Sequence, residues 1–391
     1  MQTLSEFYRL MTNTGTLRRA LVDSYLAGAG TREDVAGLRA ALESLEALRG
    51  EDGACWFLTK RGGKPTSLRI DYETQELEKD LIFFEHGESS LVSYIAGRSS
   101  KLKLQVDAVK NLLSPVRNAA FITDRDGTVN NYCGRYRSSV QSAYNAIHLT
   151  RFARVRTNNA VILTSAPLEN FGLLDLSVVP AQTFLMAGSK GREFRDVDGR
   201  KHSLPLESVK QERLDALNSR IIQLLESPEY EEFALIGSAV QFKLGQTTVA
   251  RQDLHGSITA ERSQGFLERI RALVSEVDPR GEVFRIEDTG YDIEIIATRE
   301  EGDRDFNKGD GIVFVDRIAG LDTNGPTVVC GDTASDVPMV EAVSQTSSDL
   351  RVVFVTQSDE LKKQVTELAA QSVFVDHPDA LVIALGELGK E

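Results

Sequence analysis

From residue 119 onward the chain alternates short β-rich runs with helical stretches, and this alternation restricts the fold to a parallel sheet covered on both faces. Residues 119–123, 161–163, 184–187, 328–330, 352–355 and 373–375 read as buried strands. Helices are expected over 138–153, 339–343 and 361–368, and through Leu381 and Leu385. In such sheets the chemistry gathers at the carboxyl ends of the strands.

Two stretches break the pattern. Residues 194–299 carry a long helix (206–225), strands at 239–243 and 247–251, a helix at 260–277, and strands at 283–286 and 291–297. This reads as an α+β insertion, a cap, within the parallel-sheet domain. The first third is mostly helical. Thr31 and Asp34 suggest a capping box, followed by the stripe Val35, Leu38, Leu42, Leu45 and Leu48 with a stop at Gly50. Phe7, Tyr8, Leu10 and Met11 open an earlier helix, and Leu102, Val106, Val109 and Leu113 mark a later one ending near Pro115. Between them lie a short strand at 54–59 and a turn at Gly62-Gly63. This third holds no reactive constellation and reads as a packing, oligomerisation or partner-contact module. The 391 residues therefore divide into a helical domain (1–115), a catalytic core (116–193 and 300–391) and a cap (194–299).

The net charge of -13 argues against nucleic acid as a partner, because a polyanion would be repelled. An anionic substrate would need a metal or a few focused cations. Cys55, Cys133 and Cys330 form no CxxC pair, so reduced thiols are expected rather than a disulfide framework or zinc site. The N-terminus has no basic segment followed by an apolar one, and no apolar run nears the roughly 20 residues that span a bilayer. The expectation is a cytoplasmic protein without membrane contact.

Four short features carry chemistry. Thr123-Asp124-Arg125-Asp126-Gly127-Thr128 follows the first strand of the alternation. Asp124 can attack phosphorus to give an acyl-phosphate, and Asp126 can protonate the leaving oxygen and later activate water. Gly127 permits the tight turn. The same letters also suit an Asp-rich turn or a calcium loop. Thr164 ends the next strand, where its hydroxyl can meet a phosphoryl oxygen or merely cap a helix. Lys308 opens a helix, where it can hold Asp124 and phosphate together or simply face solvent. Gly331-Asp332-Thr333-Ala334-Ser335-Asp336 follows another strand. Its carboxylates suit octahedral magnesium, with Asp332 the direct ligand and Asp336 binding directly, through water or through Lys308, though the same letters also suit a capped turn.

In that order the four features resemble the motifs of the haloacid dehalogenase superfamily of phosphatases. The resemblance covers about residues 119–391. It implies a Rossmann-like core, Asp124 as nucleophile, Asp126 as acid and base, Thr164 and Lys308 on the phosphate, and Mg2+ held at Asp124, Asp126, Asp332 and Asp336. A cap between Thr164 and Lys308 is similar to that of sugar phosphatases, the trehalose-6-phosphate phosphatases among them. Three segments resemble that family: 187–193, the paired strands of 239–251, and Asp292-Ile293-Glu294. The resemblance implies substrate contacts at Ser165, Lys190 and Glu193. Sugar specificity is expected from cap side chains that hydrogen-bond hydroxyls, with Lys243, Arg251 and Glu294 the candidates, although each equally suits a surface salt bridge. Two positions depart from the resemblance: Lys190 stands where that family has His, and Gly-Asp-Thr-Ala-Ser-Asp replaces its Gly-Asp-Asp-x-Thr-Asp. The expected activity is magnesium-dependent hydrolysis of a sugar phosphate, with trehalose 6-phosphate leading. Another sugar phosphatase, a phosphosugar mutase on the same core, or a non-catalytic regulatory protein stay open.

Overall fold

A computed structural model of the chain describes residues 1–50, 53–60, 63, 65–298 and 304–391. Gly62 of the expected turn and the expected boundary at 299–300 lie outside these residues.

The N-terminal third contains α1 (Leu4–Leu26), α2 (Arg32–Glu46), the hairpin strands β1 (Cys55–Leu58) and β2 (Pro65–Leu68), α3 (Asp71–His86), α4 (Glu88–Ala96) and α5 (Leu102–Leu113). The capping box sits at α1, where the Glu6 amide donates to Thr3 Oγ1 and the Thr3 amide to Glu6 Oε2, both at 3.2 Å. The box expected at Thr31 is absent: that residue precedes α2, but its hydroxyl makes no capping bond.

Next come β3 (Ala119–Asp124), α6 (Ala143–Arg156), β4 (Thr157–Leu163), α7 (Leu173–Leu176), β5 (Leu185–Gly188), β6 (Glu193–Arg195) and β7 (Lys201–Ser203). The inserted unit holds α8 (Ser208–Glu226), β8 (Val240–Lys243), β9 (Gln246–Ala250), α9 (Ala260–Val277), β10 (Phe284–Asp288) and β11 (Asp292–Ala297). The chain returns through α10 (Lys308–Ala319), β12 (Pro326–Gly331), α11 (Val337–Ser344), β13 (Asp349–Val355), α12 (Asp359–Leu368), β14 (Ser372–Val375) and α13 (Pro378–Leu388).

The central sheet is eight-stranded, in the order β14-β13-β12-β3-β4-β5-β6-β7. Pairing is parallel from β14 to β5, then antiparallel through β6 and β7. The sheet therefore continues to Ser203, beyond the expected start of the insertion at 194. All six residues of β3 are buried, as a strand covered on both faces requires. Phe121 points into a hydrophobic cluster with α6, α13 and the N-terminal helices, while Ile122 points into a second cluster with α10 and α11. The N-terminal third thus shares the core of the sheet's first face. The four-stranded sheet of the inserted unit, in the order β10-β11-β9-β8, has its own cluster beneath α8 and α9.

Helix α6 starts at Ala143 rather than near 138 because the preceding residues are committed elsewhere. The Ser139 carbonyl accepts from Arg125, and the Gln141 amide donates to Leu176 O at 2.9 Å. No helix of the described residues is long and apolar enough to cross a membrane.

Candidate active site

Register alone brings three of the four motifs to one point. Asp124 pairs with Leu163, so Thr164 follows beside it. Thr123 pairs with Cys330, so the loop carrying Asp332 leaves the sheet next to Asp124. Gly127 turns the chain back at φ +89, and a Cβ there would lie 2.1 Å from Asp332 Oδ2. The absence of a side chain is what lets the two loops meet.

Lys308 arrives on the first turn of α10, whose start is fixed by a capping box between Asn307 and Asp310. Its Nζ lies 2.5 Å from Asp124 Oδ1 and 2.5 Å from Asp336 Oδ1. Burial works against the Lys308 charge, but Asp124 and Asp336 overcome it and raise its pKa. The other oxygen of Asp336 accepts from the amides of Asp332 and Thr333, at 3.0 and 2.9 Å, and from the Thr333 hydroxyl at 3.1 Å. Burial would push Asp336 up, yet Lys308 and these amides hold it below the usual carboxylate range.

Carboxylate oxygens of Asp124, Asp332 and Asp336 lie within 4.8 Å of one another. Asp332 accepts from Thr128 Oγ1 at 3.2 Å and has no ion-paired cation among the described residues. Burial, then Asp124 and Asp336, push its pKa up to about 9; burial chiefly raises Asp124 to about 7, against the pull of Lys308. Crowded buried carboxylates of this kind fit a hard divalent cation, which would supply the missing charge. The Asp126 side chain stands apart from that cluster. Its Oδ1 accepts from Arg125 Nη1, from Ser139 Oγ at 2.9 Å and from Asn130 Nδ2 at 3.5 Å. It lines the cleft beside Asp124, as do Thr164, Ser165 and Lys308.

The inserted unit roofs this cleft of about 250 Å³. Its sheet presents one polar row across three strands, because Gln241 pairs with Thr248 and Thr248 with Glu294. Alternate residues Val249, Ile293 and Ile295 face the cluster under α8 and α9. Lys243 Nζ donates to Thr248 Oγ1 at 2.8 Å, and burial lowers its pKa to about 8, against the pull of Glu294. Lys243 and Glu294 therefore lie in the cleft, together with Gln241, Thr248 and Asp292.

The remaining expected substrate contacts are placed differently. Lys190 lines a small adjoining cavity with Ser165 and Lys243, and its amide donates to Thr164 O at 2.9 Å. Glu193 braces the preceding turn, accepting from Ser189 Oγ at 2.7 Å and the Leu168 amide at 3.2 Å. Arg251 lies outside the cleft lining, because Asp288 Oδ2 at 2.6 Å and Ser263 Oγ at 2.9 Å hold its guanidinium. The sequence reading also missed Arg125, Asn130 and Ser139 around Asp126. It singled out the segments of Gln241 and Asp292 without placing these two residues in the cleft, which strand alternation from Lys243 and Glu294 would have done.

Comparison with known proteins places two family models on the chain. "Trehalose-6-phosphate phosphatase, C-terminal" matches residues 121–381, and "Trehalose-6-phosphate phosphatase N-terminal helical bundle domain" matches residues 3–101. The chain is 34% identical to the alpha,alpha-trehalose-phosphate synthase (UDP-forming) 2 of Caenorhabditis elegans over 99% of its own length, but spans only 33% of that relative. It is 29% identical to a trehalose-phosphatase of Brugia malayi, covering 100% of this chain and 87% of the relative. Among solved structures, the C-terminal domain of trehalose-6-phosphate phosphatase from C. albicans aligns with 73% of this chain and 96% of its own, at 14% identity and a TM-score of 0.49.

Proposed function

The chain belongs to the trehalose-6-phosphate phosphatase family, and on that premise we propose that it hydrolyses a sugar phosphate, trehalose 6-phosphate first among candidates. The observation that carries this reading is the meeting of Asp124, Asp126, Lys308 and Asp332 at one end of the sheet, beneath a roof of hydrogen-bonding side chains. Asp124 attacks phosphorus while Asp126 gives a proton to the departing sugar oxygen. Asp126, now a carboxylate, takes a proton from the water that cleaves the aspartyl-phosphate. Lys308 keeps the nucleophile and the phosphoryl group together despite their like charge. Thr164 and Ser165 offer hydroxyls to the phosphoryl oxygens. Magnesium held by Asp124 and Asp332, with Asp336 behind them, would neutralise charge on those oxygens. Lys243 and Glu294 meet sugar hydroxyls, and a site built for such bonds discriminates against ligands that lack them.

The test is phosphate release from a panel of sugar phosphates, trehalose 6-phosphate included, with and without magnesium. Asp124→Asn is the control. Magnesium-dependent release that disappears in Asp124→Asn supports the reading. Silence across the panel overturns it, and recovery of the phosphate on another sugar position would reassign the chain as a mutase.

A further inference from the structure

Helix α3 turns a charged face inward. Glu73, Glu76, Lys79 and Asp80 are all buried. Glu73 has no exposed surface, and both its oxygens accept from Arg135 Nη2, at 2.8 and 2.9 Å. Ser138 Oγ donates to the same carboxylate at 2.6 Å. One residue earlier, the Tyr72 hydroxyl lies 3.1 Å from Asn130 Nδ2 and donates to Val140 O at 3.2 Å. Glu76 accepts from Asn131 Nδ2 at 2.6 Å. All of these partners sit on the loop between Asp126 and α6. That same loop supplies Asn130 and Ser139 to Asp126 Oδ1.

Buried ion pairs are a weak source of stability, since desolvation offsets much of the attraction. They do fix geometry. Here the geometry is that of a loop gripping one oxygen of Asp126, while no hydrogen bond engages Oδ2 among the described residues. We propose that Tyr72 and Glu73 of the N-terminal helical domain are positioning residues for Asp126, aiming its Oδ2 at the leaving oxygen of the substrate. The proposal rests on the assignment of Asp126 as proton donor. In the step served, the O–P bond breaks with its electron pair staying on the sugar oxygen. The Oδ2 proton moves to that oxygen, and Asp126 is left as a carboxylate. The helical domain is thereby part of the catalytic apparatus and not only a neighbour of it.

A sugar alkoxide cannot leave without a proton, whereas p-nitrophenolate can, and that difference isolates the positioning role. The ratio kcat/KM reads the steps up to formation of the aspartyl-phosphate, so later water attack does not blur it. For Tyr72→Phe we expect kcat/KM on trehalose 6-phosphate to fall about tenfold, a fraction of what a full general acid contributes. On p-nitrophenyl phosphate it should hold within about twofold, the leaving group there needing little proton transfer. Glu73→Gln should show the same asymmetry, and Asp126→Asn should show it most strongly. Thermal melts accompany each variant; Tyr72→Phe keeps the ring and is the arbiter if Glu73→Gln unfolds. Equal losses on both substrates, or no loss on either, would overturn the proposal. An inactive wild type would overturn the phosphatase reading and this inference with it, while an active wild type with an unaffected Tyr72→Phe would overturn the inference alone.

Discussion

Lys308 and Asp336 form a buried ion pair with 2.5 Å between Nζ and Oδ1, and the amides of Asp332 and Thr333 complete the carboxylate from its other side. One lysine thereby ties α10, the end of β3 at Asp124 and the Gly331–Asp336 loop together. Lys308→Met should leave two carboxylates buried without their cation. Breaking such a pair costs about 3–5 kcal/mol. Loss of a preorganised charge at the reacting group should lower kcat by about a hundredfold or more. Urea unfolding and phosphate release check the two effects. A variant as stable and as active as the wild type would mean that the pair organises nothing.

The acidic cluster predicts stabilisation by a divalent cation. At a magnesium concentration a hundred times its dissociation constant, mass action raises the unfolding free energy by about 2.7 kcal/mol. Asp332→Asn should abolish that response, because Asp332 is the carboxylate of the cluster without an ion-paired cation among the described residues. The measurement is melting temperature against magnesium chloride, with no substrate present. A wild type whose melting is indifferent to magnesium, or an Asp332→Asn chain that responds as the wild type does, would remove the cation from this place.

Lys243 gives a pH signature. Burial holds its folded pKa near 8, against 10.5 as the ordinary value. Between these values the unfolded chain binds the proton and the folded chain does not, so this residue makes stability rise with pH. Its penalty is present in full below pH 8 and fades as pH climbs toward 10.5, with a total on the order of 3 kcal/mol. Other lysines and tyrosines titrate in the same window, so the quantity to measure is the difference between wild type and Lys243→Met. That difference should favour the variant at pH 7 and close by pH 10.5. The variant should also bind the sugar phosphate more weakly, seen as a raised KM. A constant difference across the window would show that Lys243 is charged at its ordinary pKa.

The four motifs of the candidate site were legible because each is local. A buried strand, a glycine and a carboxylate at its end can be read from a few consecutive letters, as in Thr123 to Thr128, and parallel pairing then brings the strand ends together. Helix α3 escaped the reading for the opposite reason. Its inward face carries Glu73, Glu76, Lys79 and Asp80, so the helix has no clean apolar stripe; Glu73, Lys79 and Asp80 find Arg135, Asp379 and Arg18 far away in the chain, and Glu76 pairs with Lys79 one turn on. Arg251 could be read either as a sugar contact or as half of a salt bridge, and the choice rests on Asp288 and Ser263, whose nearness is a product of tertiary structure. The Thr31 box failed because side-chain capping depends on backbone angles that four letters do not determine. Near Asp126, the Arg125, Asn130 and Ser139 contacts carry no motif of their own.

Gly127 allows two costs to be separated. Its φ of +89 is unfavourable for any residue with a Cβ, and that Cβ would also collide with Asp332 Oδ2 at 2.1 Å. Gly199 has nearly the same angle, +86, with nothing within 4 Å of the added atom. Gly199→Ala should therefore lose about 1–3 kcal/mol of stability from backbone strain alone and keep its activity. Gly127→Ala suffers the same strain and must in addition push the Asp332 carboxylate out of place. It should lose most phosphate release and most of its melting response to magnesium. If the two variants lose stability alike and both keep the magnesium response, the approach of the two loops is not what sets the position of Asp332. If Gly127→Ala alone loses the response, the bare Cα of Gly127 is part of the cation site.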